Sequence, residues 1–307
     1  MRVGNMILVS GATGFVGGHL VNRLVHEKIQ TRCLVRKSSN IEKFKKEKAL
    51  IDVAFGDLTD DESLKKALQG VETVVHLIGI IVEKKGATFE IIHTQGTRKL
   101  VNACKMAGVR RFIYISALGA REKASSRYHI TKWEAEQAVI QSGMEYVIFR
   151  PSIMIGKGGE FITMLSRIVK EAPVVPVIDG KSKVQPIYVE NTIDCIIKSV
   201  TGPGINNRIF EIGGPDQITY RELFLTLMDV LEIKKPVIEI PILLMWPAAY
   251  ILERLLEKPP ITIQQLIMLQ EDNICDIKEM QEVFGLELVP LEEALKSFLP
   301  REGGKNP

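Results

Sequence analysis

Val9-Ser10-Gly11-Ala12-Thr13-Gly14-Phe15-Val16-Gly17 decides how this chain is read. Just upstream, Met6-Ile7-Leu8-Val9 is a short unbroken apolar run, the pattern of a strand buried on both faces. Downstream, Phe15, Val16, Leu20, Val21, Leu24 and Val25 recur at helical spacing. The glycines at 11, 14 and 17 therefore lie between a strand and a helix. One permits the tight turn, one lets backbone approach a pyrophosphate, and one lets the helix pack on the sheet. The helix start adds unpaired N–H groups and the positive end of its dipole. A glycine triplet alone is weak evidence, but at the head of a βαβ pattern it marks a dinucleotide site.

The chain continues in the same alternation. Thr31–Val35 reads as the second strand, followed by Arg36-Lys37-Ser38-Ser39. An NAD-binding unit places an acid for the ribose 2′-hydroxyl roughly 20 residues past the glycines. Here a guanidinium, an ammonium and two hydroxyls stand in that place and suit a 2′-phosphate. The pattern favours NADP(H), with NAD(H) as the alternative. Leu50–Phe55 is a third strand, ending in Gly56-Asp57-Leu58-Thr59-Asp60. Asp57 and Leu58 sit where a third-strand loop borders adenine, and Asp60 or Thr59 is placed to cap the next helix. Glu72–Leu77 is a fourth strand, running into Leu77-Ile78-Gly79, and a helix carries Gly86 to Ala107. Arg111–Ile115 is a fifth strand and Glu145–Phe149 a sixth, ending at Arg150-Pro151-Ser152-Ile153. This order predicts an α/β fold with a Rossmann-type doubly wound parallel sheet. Ligands of such sheets bind beyond the carboxyl ends of the strands. Leu77, Ile78, Gly79, Pro151, Ser152 and Ile153 therefore join the candidate cofactor-binding residues.

Ser116 follows the fifth strand, and Tyr128 and Lys132 follow Ser116 at i, i+4 spacing on one helix face. A free tyrosine has a pKa near ~10, and a cation one turn away is expected to lower it. The phenol then protonates a carbonyl oxygen as hydride arrives, or takes a proton in reverse. A serine hydroxyl facing that oxygen stabilises its developing charge. Ser116, Tyr128 and Lys132 are the candidate catalytic residues.

The second half is less regular. Residues 1–150 form the expected nucleotide-binding domain, with segments around 185–215 returning to it, and 151–307 a smaller, mostly helical substrate-side domain. Of the 307 residues, 46% are hydrophobic and 25% charged, as in ordinary globular proteins. A net charge of +3 from 40 basic and 37 acidic residues gives no reason to expect nucleic acid. The local basic run Lys43–Lys48 reads as a solvated helix face. Cys33, Cys104, Cys195 and Cys275 are scattered without metal-ligand spacing, so buried thiols and no metal are expected. With no signal sequence and no apolar run of the ~20 residues that span a bilayer, a cytoplasmic location is expected. Val237–Leu256 is unusually apolar and broken by Pro241 and Pro247. Core packing is the plain reading. The sharper one is a lid over a lipophilic substrate such as a quinone or isoprenoid, or a contact with a membrane surface or partner protein. The oligomeric state is not legible.

Taken together, Gly11–Gly17, Asp57-Leu58, Ser116, Tyr128-x-x-x-Lys132 and Arg150-Pro151-Ser152 resemble the short-chain dehydrogenase/reductase superfamily over roughly residues 5–215. Ile115-Ser-Ala-Leu-Gly-Ala120, His93-x-x-Gly96-Thr97 and Gln185-Pro186-Ile187-Tyr188-Val189 are similar to its atypical branch. That branch includes the NAD(P)H-binding accessory subunit of respiratory complex I. The resemblance implies that Gly11, Thr13, Gly14, Phe15, Val16 and Gly17 hold the pyrophosphate and that Arg36 holds the 2′-phosphate. It also implies that Asp57 and Leu58 border the adenine and that Tyr128 and Lys132 flank the nicotinamide ribose. Extended members place an asparagine where this chain has His93. Three functions follow as expectations: a carbonyl or hydroxyl oxidoreductase, a sugar-nucleotide epimerase or dehydratase, and a structural NADPH-binding or assembly subunit.

Overall fold

The structure is a computed structural model that describes residues 6–42, 44, 49–202, 204–256 and 259–300. Most of the basic run Lys43–Lys48 lies outside the described residues; Phe44 within it is buried. The chain divides into two compact units. One comprises the chain to Arg150 together with Ile193–Phe210, the other Pro151–Thr192 and the chain from Glu211.

The first unit alternates strand and helix: β1 (Met6–Ser10), α1 (Phe15–His26), β2 (Thr31–Val35), β3 (Ile51–Phe55), α2 (Asp61–Ala67) and β4 (Val71–His76). A π-helical segment, Glu90–Gln95, runs straight into α3 (Gly96–Ala107), followed by β5 (Arg111–Ile115), α4 (Arg127–Ile140) and β6 (Glu145–Pro151). The helix read from Gly86 therefore begins later. Gly86, at φ +78°, sits in a tight turn closed by the Lys84–Ala87 bridge, and helix starts only after it.

Seven strands make the sheet, in the order β3-β2-β1-β4-β5-β6-β11 once β11 (Arg208–Ile212) is added. The pairings of β1 through β6 are parallel, with Val9 opposite Cys33 on one side and Val75 on the other. The order reverses direction between β1 and β4. Right-handed crossovers then place helices on both faces and open a crevice at the carboxyl ends of these two strands. Leu8, Val74, Phe112 and Ile148 of the sheet pack with Leu64 of α2, Leu100 of α3 and Val139 of α4. All four cysteines are buried and none forms a disulfide.

In the second unit, β7 (Met154–Ile155) leads to α5 (Glu160–Glu171), β8 (Val175–Ile178), β9 (Lys183–Val184) and β10 (Ile187–Tyr188). α6 (Val189–Thr201) carries the chain back toward β11. Then come β12 (Ile218–Thr219), α7 (Tyr220–Val230), β13 (Val237–Ile240), α8 (Ile242–Leu255), α9 (Ile263–Leu269), α10 (Lys278–Phe284) and α11 (Leu291–Phe298). Leu165 and Val169 of α5, Val177 of β8, Leu223 and Leu227 of α7 and Leu295 of α11 form its core.

The apolar stretch at 237–256 departs from the core-packing expectation. Its first four residues form β13, which pairs in parallel with β8. The remainder forms α8, in which only Ala249 is buried. Leu243, Leu244, Tyr250, Ile251 and Leu255 are exposed, Leu243 and Leu255 by three quarters. No described helix is long and apolar enough to cross a membrane.

Candidate functional site

The glycine turn has the geometry its sequence calls for. Gly11 leaves β1 at φ +82°, a left-handed conformation that side-chain-bearing residues avoid. A Cβ there would lie 3.2 Å from the Leu77–Ile78 backbone, so the turn abuts the end of β4. A Cβ on Gly17 would lie 2.1 Å from the Gly11 carbonyl oxygen, so only glycine lets α1 approach so closely. Gly14 is the N-cap of α1 and supplies no side-chain cap. The first N–H groups of a helix, here those of Phe15, Val16 and Gly17, have no acceptor within the helix itself, which is what a pyrophosphate site uses. These residues fit a dinucleotide.

Arg36, Lys37 and Ser38 are exposed beyond the end of β2. The Arg36 charge reaches Asp57. Partial burial of Asp57 works to raise its pKa, but Thr59 and Arg36 outweigh it and hold the carboxyl below its ordinary value. Asp57 Oδ1 accepts from the Thr59 N–H (2.9 Å) and hydroxyl (2.8 Å), closing the loop after β3. Asp60, rather than Thr59, caps α2 through the Ser63 N–H. The Leu58 side chain packs into the core against Gly96.

The candidate catalytic residues lie around the ends of β4 and β5. Ser126 caps α4. Six residues on, Lys132 is buried, its Nζ donating to the Ile115 carbonyl at 2.6 Å and lying 4.7 Å above the Tyr114 ring. Burial lowers the Lys132 pKa to about 7, against the opposing pull of Glu136. Ser116, the next residue after Ile115, is buried, and its hydroxyl has no hydrogen-bond partner among the described residues. A buried hydroxyl without a partner is costly in a finished protein and is explained by a ligand atom that completes it. Tyr128 meets Phe89, His93 and His129 edge-on at 5.7, 5.4 and 5.3 Å. Its pKa departs from the sequence expectation: burial pushes the phenol up to about 12. Lys132 does not offset this: with a pKa lowered to about 7 it has lost its proton before a phenol titrates.

Three groups around this cluster escaped the sequence reading. Glu136, fully buried one turn after Lys132, takes two hydrogen bonds from Arg150 (2.9 and 2.6 Å). The spacing from Lys132 to Glu136 repeats that from Tyr128 to Lys132 and would have exposed it. Thr131 and the Ile80 amide bind His93, a pairing across chain distance that no local pattern signals. His93 is buried in the π-helical segment. Ser152 and Ile153 belong to the second unit. There the Ser152 Oγ lies 2.6 Å from Asn273 Oδ1, and Ile153 packs on that unit's core. Pro151 is buried at the end of β6.

A family model described as NAD(P)H-binding matches residues 11–167. The chain is 29% identical to a ceramide reductase of Caulobacter vibrioides over 77% of its own length and 74% of that protein's. It is 31% identical to the mitochondrial NADH dehydrogenase [ubiquinone] 1 alpha subcomplex subunit 9 of Arabidopsis thaliana over 75% of this chain. That match spans 58% of the plant protein, under two thirds of its length. Among solved structures, a UDP-glucose 4-epimerase from Thermotoga maritima superposes with a TM-score of 0.74 at 21% identity, covering 95% of this chain and 96% of the epimerase. At that identity the likeness is one of fold.

Proposed function

The chain belongs to the NAD(P)H-binding family whose model it matches, and on that premise we propose that it is an NADP(H)-dependent reductase of a lipophilic carbonyl compound. The observation that carries this reading is the unpartnered Ser116 hydroxyl, one residue beyond the carbonyl that holds Lys132. When bound, the nicotinamide supplies the hydride. Ser116 donates a hydrogen bond to the substrate oxygen and stabilises the charge that develops there. Tyr128, with its pKa raised to about 12, is a neutral phenol at pH 7 and delivers the proton to that oxygen. Lys132, with a pKa of about 7, gains charge beside an anionic nucleotide and then favours the phenolate left behind. Gly11, Thr13, Gly14, Phe15, Val16 and Gly17 would hold the pyrophosphate, and Arg36 with Lys37 the 2′-phosphate. Asp57 and Leu58 would border the adenine, and Leu77, Ile78 and Gly79 the nicotinamide side.

The exposed apolar face of α8 supports a lipophilic substrate or a membrane-peripheral partner, and the ceramide reductase and complex I relatives agree with that chemistry. The same face favours a second reading, a structural NADPH-binding subunit of a larger assembly. Oxidation of bound NADPH by carbonyl compounds and quinones, followed anaerobically, separates the two: the reductase consumes NADPH with one compound class, whereas the structural subunit retains it against all. For the coenzyme, Arg36→Asp is expected to weaken NADPH by about 10-fold or more while sparing NADH. Equal loss of both would remove Arg36 from phosphate recognition.

A further inference from the structure

His93 has both ring nitrogens engaged, and their partners fix its proton. Nε2 lies 3.0 Å from the Ile80 amide nitrogen, which can only donate, so Nε2 must be the unprotonated acceptor. Nδ1 therefore carries the hydrogen and donates it to Thr131 Oγ1 at 3.0 Å. Thr131 closes the chain by donating its own hydroxyl proton to the helix carbonyls of Arg127 or Tyr128, at 3.0 and 3.1 Å. The ring stacks on Phe89 and meets Tyr128 edge-on. Charged and titratable groups face it from neighbouring elements: Lys132 and Tyr128 from α4, and His76 from β4. Glu134 of α4 is engaged by Thr94, the next residue of the π-helical segment.

We infer that His93 is the positioning residue of the nucleotide site, a permanently neutral imidazole that ties the Gly79–Ile80 loop to the helix of Tyr128 and Lys132 and neither takes up nor gives up a proton during turnover. The inference rests on the proposed function only in taking that loop as the nicotinamide side. Its geometry is otherwise independent. The loop follows β4 at the carboxyl end of the sheet, where the ligand crevice opens. A Cβ on Gly79 would sit 3.6 Å from both His93 Nε2 and Lys132 Nζ, so loop, imidazole and ammonium meet at one point. The π-helical turn, a device frequent at functional sites, presents His93 and Thr94 together to α4. With its one lone pair taken by an amide and its one N–H taken by a threonine, the ring has no route for accepting a proton from Lys132. Burial and the Lys132 charge agree, lowering the His93 pKa to about 2.

The full chain with 15N-labelled histidine tests this by NMR, and His93→Gln assigns the resonance. The expected spectrum has a protonated Nδ1 and a bare Nε2, unchanged from about pH 8 to about pH 5. An Nε2–H tautomer, or a titration within that window, overturns the proposal. Two variants separate positioning from bulk packing. His93→Gln can offer its amide oxygen to Ile80, whereas His93→Asn reaches only toward Thr131. Gln is expected to keep the Ile80 amide slow to exchange and NADPH affinity within about 3-fold of the parent. Asn is expected to release that amide and weaken NADPH by about 10-fold. Equal behaviour of the two variants contradicts the clasp. If the parent bound no NADPH, the proposed function would fall, while the tautomer and the Ile80 exchange would still decide the role of His93.

Discussion

α4 and α8 are both 14 residues long and invert each other's chemistry. α4 buries His129, Thr131, Lys132 and Glu136, polar groups that ordinarily stay in water. α8 turns Leu243, Leu244, Tyr250, Ile251 and Leu255 outward, positions that recur with helical period on one stripe. Its sole acid, Glu253, is engaged by the Ile263 N–H, while Arg254 lies 4.1 Å over the Tyr250 ring. Each arrangement costs stability in isolation, since a desolvated lysine and a solvated leucine are both out of place. α4 offsets its cost with partners: Ile115 for Lys132, Arg150 for Glu136, His93 for Thr131. Along the α8 stripe Arg254 covers the Tyr250 ring, while Leu243, Leu244, Ile251 and Leu255 stay exposed, which supports the lipophilic surface proposed for it. A helix that violates the burial rule carries function, and the direction of the violation says which kind.

Lys132 is the sharpest way to break the comparison on the α4 side. Its folded pKa, about 7, lies below its ordinary 10.5. The unfolded chain therefore binds the proton more tightly between those values. The cost of burial is complete below about pH 7 and fades as pH rises toward 10.5, so this residue makes stability rise with pH across that window. Lys132→Met is expected to remove the rise, changing the stability difference from the parent by about 4 kcal/mol between pH 7 and about pH 10, measured by urea unfolding. A difference independent of pH would mean that Lys132 is not desolvated.

On the α8 side the expected effect on stability is small and the effect on association large. Leu243→Glu with Leu255→Glu should leave the unfolding free energy within about 0.5 kcal/mol per site. Flotation with phosphatidylcholine vesicles should show the parent associating and the double variant remaining free. A loss of 2 kcal/mol or more, on the order of a core leucine, would mean that these side chains are packed after all. A parent that never floats would remove the lipid surface as the partner.

The fold was legible because its signals are local. Gly11, Gly14 and Gly17, the apolar runs of β1 and β5 and the strand at Arg208–Ile212 each declare themselves within a few residues. The errors came where local pattern and tertiary context disagree. Gly86 looked like helix and is a turn; Val237–Ile240 looked like part of one apolar block and is a strand paired with β8. The Ser116, Tyr128 and Lys132 cluster could be named from spacing, but its electrostatics could not. A lysine at i+4 suggests a lowered tyrosine pKa only if the ammonium stays charged and free. Burial of both groups reverses that, and burial is a property of the whole sheet. The His93 clasp joins Ile80, His93 and Thr131, positions that meet only after β4, the π-helical turn and α4 pack.

The most direct test of the account compares the parent with Tyr128→Phe, both loaded with NADPH, by following loss of reduced-nicotinamide absorbance against the same carbonyl and quinone panel. The Tyr128 phenol is the proton donor in this account. The variant should bind NADPH as the parent does and oxidise it about 10²-fold more slowly with whichever compound the parent reduces. Equal rates in the two proteins would contradict the assignment of Tyr128 and, with it, the reading of α4 as the catalytic helix.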